Sequence, residues 1–228
     1  MTEADLRNLL VKKPGFVLYD GFEPSGRMHI AQGIFKAMNV NKCTRAGGTF
    51  IFWVADWFAL MNDKMGGDLE KIKVVGKYLI EVGAEQQSGM AGMGIPSAPR
   101  SPRGVVRHAQ VWKASGMDMK NVVFKWCADE INNHAKEYWL QALDIARSFT
   151  LARIKKCCQI MGRLENKLTS AQILYPIMQC TDIFFLKADI CQLGVDQRKV
   201  NHLWGPPLPH LPHLHRDWVH PLPHLHDG

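Results

Sequence analysis

Four short runs dominated by β-branched and aromatic residues recur along the chain, each separated from the next by a helical stretch far too long for a hairpin. The runs are FVLYDGF (16–22), TFIFWVAD (49–56), VVFKWCA (122–128) and DIFFLKADI (182–190). Between them lie helical stretches at 29–42, 68–82 continued by 112–115, 134–161 and 170–181. Antiparallel strands accept tight turns, whereas parallel neighbours need a long crossover, usually a helix. The alternation therefore predicts an α/β fold with a doubly wound, Rossmann-like parallel sheet. Ligands of such sheets sit beyond the carboxyl ends of the strands. The stretch 134–161 is long for one crossover and ends on the basic RIKKCCQIMGR, so it reads as an inserted helical pair.

The chain has 228 residues, 46% of them hydrophobic, which suits one domain or a domain and a half. No apolar run approaches the ~18 residues that a membrane helix needs. The N-terminus, MTEADLRNLLVKKPG, is acidic early and amphipathic, without the apolar core of a signal peptide. A cytosolic chain is the expectation, with its six cysteines as free thiols. A formal charge of +7 suits an anionic partner such as nucleic acid.

Two segments differ from the rest. Residues 83–110, rich in Gly, Pro, Ser and Ala, show neither period, while KYLIEV before them and VWKASGMD after them would join as one amphipathic helix stopping at Gly116. The segment reads as a disordered insertion within that helix, with a functional surface loop as the alternative. From His202 onward lie seven of the ten histidines and six of the twelve prolines. Proline at that density excludes helix and central strand. The expected organisation is a domain over 1–201 and a low-complexity tail over 202–228, with metal binding by the tail as the alternative reading.

The first strand runs out into GFEPSGRMHIAQG. A helix opening near His29 would aim backbone N–H groups and a partial positive charge at the strand end. Gly21 and Gly26 let the backbone turn tightly and approach a ligand. Together these make an anion site suited to a polyphosphate. A plain crossover does not need Glu23 and Arg27 beside the turn.

The block GFEPSGRMHIAQG resembles the signature of class I aminoacyl-tRNA synthetases, whose HIGH motif stands here as His29-Ile30-Ala31-Gln32-Gly33. A second block, LYPIMQCTDIFFLKADICQLGVDQRK (174–199), resembles the Y-P-x-x-Q-x-x-D and D/E-Q-R-K elements of the tyrosyl-tRNA synthetases of archaeal and eukaryotic type. The resemblance covers roughly 5–82 and 111–201, and plant-type cytosolic sequences look most similar.

The resemblance implies a tyrosine–tRNA ligase that activates L-tyrosine with ATP and Mg2+ and then charges tRNA(Tyr), as a cytoplasmic homodimer joined near 134–161. It implies ATP binding and catalysis at His29 and Gln32, with the backbone around Gly21 and Gly33. Gln32 replaces the usual last histidine of the motif; its amide donates a hydrogen bond but cannot become cationic. The residues matching the readers of the substrate hydroxyl are Tyr19 and Asp182, and those matching the readers of its amino group are Tyr175, Gln179 and Gln197. Tyr175, Gln179 and Asp182 fall at i, i+4 and i+7, on one helix face. Asp56 and Trp57 follow the second strand near the implied amino-acid pocket. Arg153, Lys155, Lys156 and Arg163 offer phosphate contacts for tRNA, or form a solvated basic face. The family's KMSKS lysines, its next parallel strand and its anticodon-binding domain have no counterpart after residue 201. A sheet incomplete on that side, slow adenylation and an unpaired edge are expected. The alternatives are a non-catalytic fragment that binds tyrosine or pairs with a full-length enzyme, and the tryptophanyl relative.

Overall fold

The computed structural model describes residues 3–26, 30–80, 116–160, 168–193 and 220–221, with backbone alone at 30–33, 159–160 and 220–221. In chain order its elements are α1 (Glu3–Lys12), β1 (Val17–Phe22), α2 (Ile30–Arg45), β2 (Thr49–Val54), α3 (Asp56–Met61), a 3-10 turn (Lys64–Gly67) and α4 (Leu69–Ile80). They continue as β3 (Val122–Trp126), α5 (Cys127–Asn133), α6 (Ala135–Ser148), α7 (Leu151–Ile160), α8 (Ser170–Phe185), β4 (Ile190–Cys191) and β5 (His220–Pro221). The strands form one sheet in the order β3-β2-β1-β4-β5, every pair parallel. β1 is central: Tyr19 stands opposite Ile51 on one side and Cys191 on the other, and Gly21 faces Trp53.

The two-residue period of a strand sends alternate side chains to opposite faces. Leu18 of β1 joins Phe50, Phe52, Ala37, Val40 and Leu9 on the face that α1 and α2 cover. Tyr19 joins Ile51, Trp53, Tyr138, Met178 and Ile183 on the face that α3, α6 and α8 cover. Burial on both faces explains why β2 is apolar from Phe50 to Val54, without a polar alternation. A smaller cluster of Ile154, Cys157 and Cys158 holds α7 against Ile173 and Ile177 of α8. The predicted pair over 134–161 is observed as α6 and α7, parted at Phe149 and Thr150.

Two expectations need correction. The run 182–190 is not a strand. Residues 182–185 are the last turn of α8, Leu186 caps it, Lys187 takes a left-handed φ of 52°, and only Ile190–Cys191 pair. Helix α8 starts at a capping box, Thr169 with Gln172, and packs against α6, α7 and the sheet. A helix covered on several sides is apolar on several sides, and a short apolar run of that kind cannot be told from a strand by its period. The other correction concerns the sheet edge. His220–Pro221 pair in parallel with β4, so the tail supplies an outer strand. Proline is compatible with that place because an edge strand needs no ladder on its far side. Residues 83–110, the rest of the tail and the 201/202 boundary lie outside the described residues. Gly116, expected to stop the helix before β3, has a left-handed φ of 79°.

A charged pair crosses the α2 face. The Lys36 ammonium lies 2.9 Å from Asp20 Oδ2, in an ion pair without the direction of a good hydrogen bond. It also lies over the rings of Phe22 and Phe52, 5.7 Å from each centroid. Burial raises the Asp20 carboxyl against the pull of Lys36. Removing one member of such a pair leaves the other buried and uncompensated. Lys36→Met is therefore expected to lower unfolding free energy by about 2 kcal/mol or more in urea titrations, and the double change Asp20→Leu/Lys36→Met to recover most of that loss. A neutral Lys36→Met would show that the pair does not contribute.

Candidate active site

A cavity of about 260 Å3, counting the space open to solvent, lies at the carboxyl end of β1. Tyr19, Gly21 and Glu23 line it from β1 and the following loop, Phe58 from α3, and Tyr175 and Gln179 from α8. Tyr19 and Gly21 are two residues apart on one strand and share a face. A Cβ at position 21 would sit 2.7 Å from the Tyr19 hydroxyl oxygen. Glycine is required there because the phenol leans over it. The observed role of Gly21 is thus to leave Tyr19 its position, beside the close backbone approach expected of it.

The inner end of the site is polar and sealed from water. Asp182 has no exposure. Its Oδ1 accepts a 2.7 Å hydrogen bond from the Tyr138 hydroxyl, while Oδ2 has no partner. Burial pushes this carboxyl up to about 8, against the downward pull of the Tyr138 bond and of the neighbouring Trp53 indole. The Trp53 N–H lies close enough to act on Asp182 but does not close a bond of hydrogen-bond geometry. Tyr19, on the same face, is held well above the usual phenol range by burial first and by the field of Asp182 second. Gln179 is 6% exposed and its Oε1 is also unpartnered. Buried polar groups are normally hydrogen-bonded. Gln179 lines the cavity and Asp182 follows it on the same helix face, and their unsatisfied atoms are what a ligand with matching polar groups would complete.

Glu23, the acidic residue beside the turn, is a brace. Its Oε1 accepts from Asn62 Nδ2 at 2.6 Å and from the Tyr175 hydroxyl at 2.9 Å. One carboxylate thus ties the β1 loop to the end of α3 and to α8. Tyr175 also meets Phe58 edge-on, with centroids 4.8 Å apart. Asp56 acts structurally, since its Oδ1 accepts from the backbone N–H of Trp57 at 2.9 Å and of Ala128 at 3.1 Å. It joins the starts of α3 and α5, so the ends of β2 and β3 stay together.

Of the residues predicted from sequence, Tyr19, Gly21, Tyr175, Gln179 and Asp182 come together. His29, Gln197 and Arg163 lie outside the described residues. Gln32 and Gly33 fall in the first turn of α2, which runs from Ile30. Arg153, Lys155 and Lys156 lie on α7 and are not among the residues lining the cavity. Arg153 stacks on Phe149, 5.3 Å from the ring centroid. Sequence reading missed Tyr138, Trp53 and the bracing role of Glu23. A signal for Tyr138 was present: it leads the buried stripe Tyr138, Ala142, Ile145 at i, i+4, i+7, a polar-tipped residue on the core face of a helix.

The parallel sheet covered by helices on both faces is the fold of the class I tyrosyl-tRNA synthetases. The family of class I tRNA synthetases for tryptophan and tyrosine (W and Y) matches residues 12–204, and the chain belongs to it. Within that family the similarity is to tyrosyl-tRNA synthetases. The cytoplasmic tyrosine–tRNA ligase 1 of Arabidopsis thaliana is 54% identical over 202 residues, covering 88% of this chain and 45% of the relative. The tyrosyl-tRNA synthetase of Leishmania major in complex with tyrosinol superposes with a TM-score of 0.71 at 61% identity, over 89% of this chain and 26% of that one. The Pyrococcus horikoshii enzyme complexed with L-tyrosine superposes with a TM-score of 0.69 at 30% identity, over 88% and 47%. The chain thus spans less than half the length of these relatives.

The raised Asp182 has a consequence for stability. Its folded pKa, about 8, lies above the ordinary 3.8, so between these values the native state holds a proton that the unfolded chain has released. Its contribution is complete below the unfolded value and is lost as pH rises through the folded one. Unfolding free energies measured from pH 4 to 9 should fall more steeply for the wild type than for Asp182→Asn. Parallel curves would contradict the raised carboxyl.

Proposed function

We propose that the chain carries the amino-acid-activating site of a cytoplasmic tyrosine–tRNA ligase. The observation that carries this reading is the fully buried Asp182, with one oxygen unpartnered, in the electrostatic neighbourhood of Tyr19, which lines the cavity together with Tyr175 and Gln179. A phenol hydroxyl would hydrogen-bond to Asp182 Oδ2 and to the Tyr19 hydroxyl. The aromatic ring would pass between the face of the sheet and α8. At the mouth, the ammonium would meet the unpartnered Gln179 Oε1, the Tyr175 oxygen and the Glu23 carboxylate, with Gln197 joining them by family resemblance. Phenylalanine would leave Asp182 and Tyr19 unsatisfied. Discrimination of about 10⁵ against phenylalanine is an established property of tyrosyl enzymes, and it sets the expected direction here.

ATP would lie across the start of α2, where free backbone N–H groups and the helix dipole favour phosphate. His29 and Gln32 would hold it, with the backbone around Gly21 and Gly33. Mg2+ would enter with its phosphates as part of the substrate. The tyrosine carboxylate oxygen attacks the α-phosphorus, the bond to the bridging oxygen breaks, and pyrophosphate departs, leaving tyrosyl-adenylate. Positioning and charge stabilisation do most of this work. Transfer to the 3′ end of tRNA(Tyr) would follow. Arg153, Lys155 and Lys156 would contribute phosphate contacts, and a second copy would pair through the region of α6 and α7.

L-Tyrosine should raise the thermal midpoint of the chain, by an amount equivalent to about 2.7 kcal/mol at a hundred times its Kd. L-Tryptophan and L-phenylalanine at equal concentration should protect far less, and equal protection by all three would refute the reading. Gly21→Ala, whose methyl would displace the Tyr19 hydroxyl, should weaken L-tyrosine binding about tenfold or more by calorimetry. Unchanged affinity would show that Tyr19 does not need that space.

A further inference from the structure

Tyr138 enters the core from α6 with no exposure, its ring edge-on to Phe185 at 5.3 Å and 82°. Its hydroxyl donates at 2.7 Å to Asp182 Oδ1, and the Met178 carbonyl at 3.3 Å is the longer alternative. A hydroxyl has one proton to give, and the 2.7 Å bond to the carboxyl group is the stronger of the two. Holding Oδ1 stops the carboxylate from turning about its Cβ–Cγ bond. Oδ2 is then presented in one direction, buried and unpartnered. Neither Tyr138 nor Asp182 is among the residues lining the cavity; Tyr19 is, Asp182 acts on it electrostatically, and Tyr138 holds Asp182, so an effect of Tyr138 on a ligand passes through that carboxyl.

We propose that Tyr138 is a positioning residue for selectivity: by locking Asp182 through Oδ1 it aims Oδ2 at the hydroxyl of a para-hydroxyphenyl amino acid, and thereby separates that ligand from its unhydroxylated analogue. This rests on the tyrosine-binding reading above. Without the Tyr138 hydroxyl, Asp182 is free to rotate toward other donors, the Trp53 indole foremost. The aromatic box would persist while its hydroxyl reader lost its aim.

The test is calorimetric titration of the full chain with L-tyrosine and with L-phenylalanine. Tyr138→Phe should weaken L-tyrosine binding about tenfold, the scale of one hydrogen bond, and leave L-phenylalanine binding unchanged. The ratio of the two affinities should fall by the same factor. In an Asp182→Asn background, Tyr138→Phe should cause no further loss. Equal weakening of both ligands, or no change in either, would mark Tyr138 as a packing residue and overturn the inference. A wild-type chain that binds neither amino acid would instead overturn the tyrosine reading, and this inference with it. Should Tyr138→Phe not fold, proton NMR of the wild type decides. A slowly exchanging downfield hydroxyl proton, absent in Asp182→Asn, should persist when L-tyrosine is added; its disappearance on binding would mean that the ligand displaces Tyr138 and the proposal is wrong.

Discussion

A carboxyl group removed from water, with one oxygen held and the other left open, is the constraint on which the site depends. Asp182 has no exposure, and Tyr138 holds only its Oδ1. An isolated buried carboxylate is costly, and proteins respond by raising its pKa or supplying partners. Both responses are visible. The carboxyl rises to about 8, and Tyr138, Trp53 and Tyr19 surround it with groups able to share or donate protons. The residual dissatisfaction is confined to one oxygen on the cavity side of the sheet. It is a local stability loss that a hydroxylated ligand would repair.

The surrounding architecture keeps that oxygen reachable. Parallel pairing in register places Tyr19 at the centre of the sheet, between Ile51 and Cys191. Gly21, next on the same face, gives the phenol its space. Glu23 then fastens the loop after β1 to Asn62 and Tyr175, so one wall of the cavity is fixed to the helix that carries Gln179 and Asp182. On the opposite face, Asp20 and Lys36 hold α2 against β1. That helix would offer its first turn to phosphate. The aromatic and nucleotide halves of the proposed site are thereby tied to the two faces of a single strand.

Much of this was legible in residue order alone. The alternation of strands and long crossovers specified the parallel sheet, because few other topologies bury apolar strands on both faces. The spacing of Tyr175, Gln179 and Asp182 specified a shared helix face, which requires α8 to continue through Asp182, as it does. The competing strand reading of 182–190 failed because Ile183, Phe184 and Phe185 belong to a helix packed on several sides, where helical periodicity disappears. The tail strand at His220–Pro221 was hidden by its composition, which describes what proline forbids inside a sheet and not what it permits at an edge. Tyr138 and Trp53 were missed for a different reason. Nothing local marks which buried hydroxyl or indole will meet a carboxylate far away in sequence; that meeting is a product of how α6 and α8 pack.

The most direct test of the account is an experimental structure of the chain with L-tyrosine bound. The substrate's phenol oxygen should lie about 2.5–3.0 Å from Asp182 Oδ2 and within the same reach of the Tyr19 hydroxyl, the range of O–H···O hydrogen bonds. Density that places the ring elsewhere, or leaves Asp182 Oδ2 still without a partner, would contradict it.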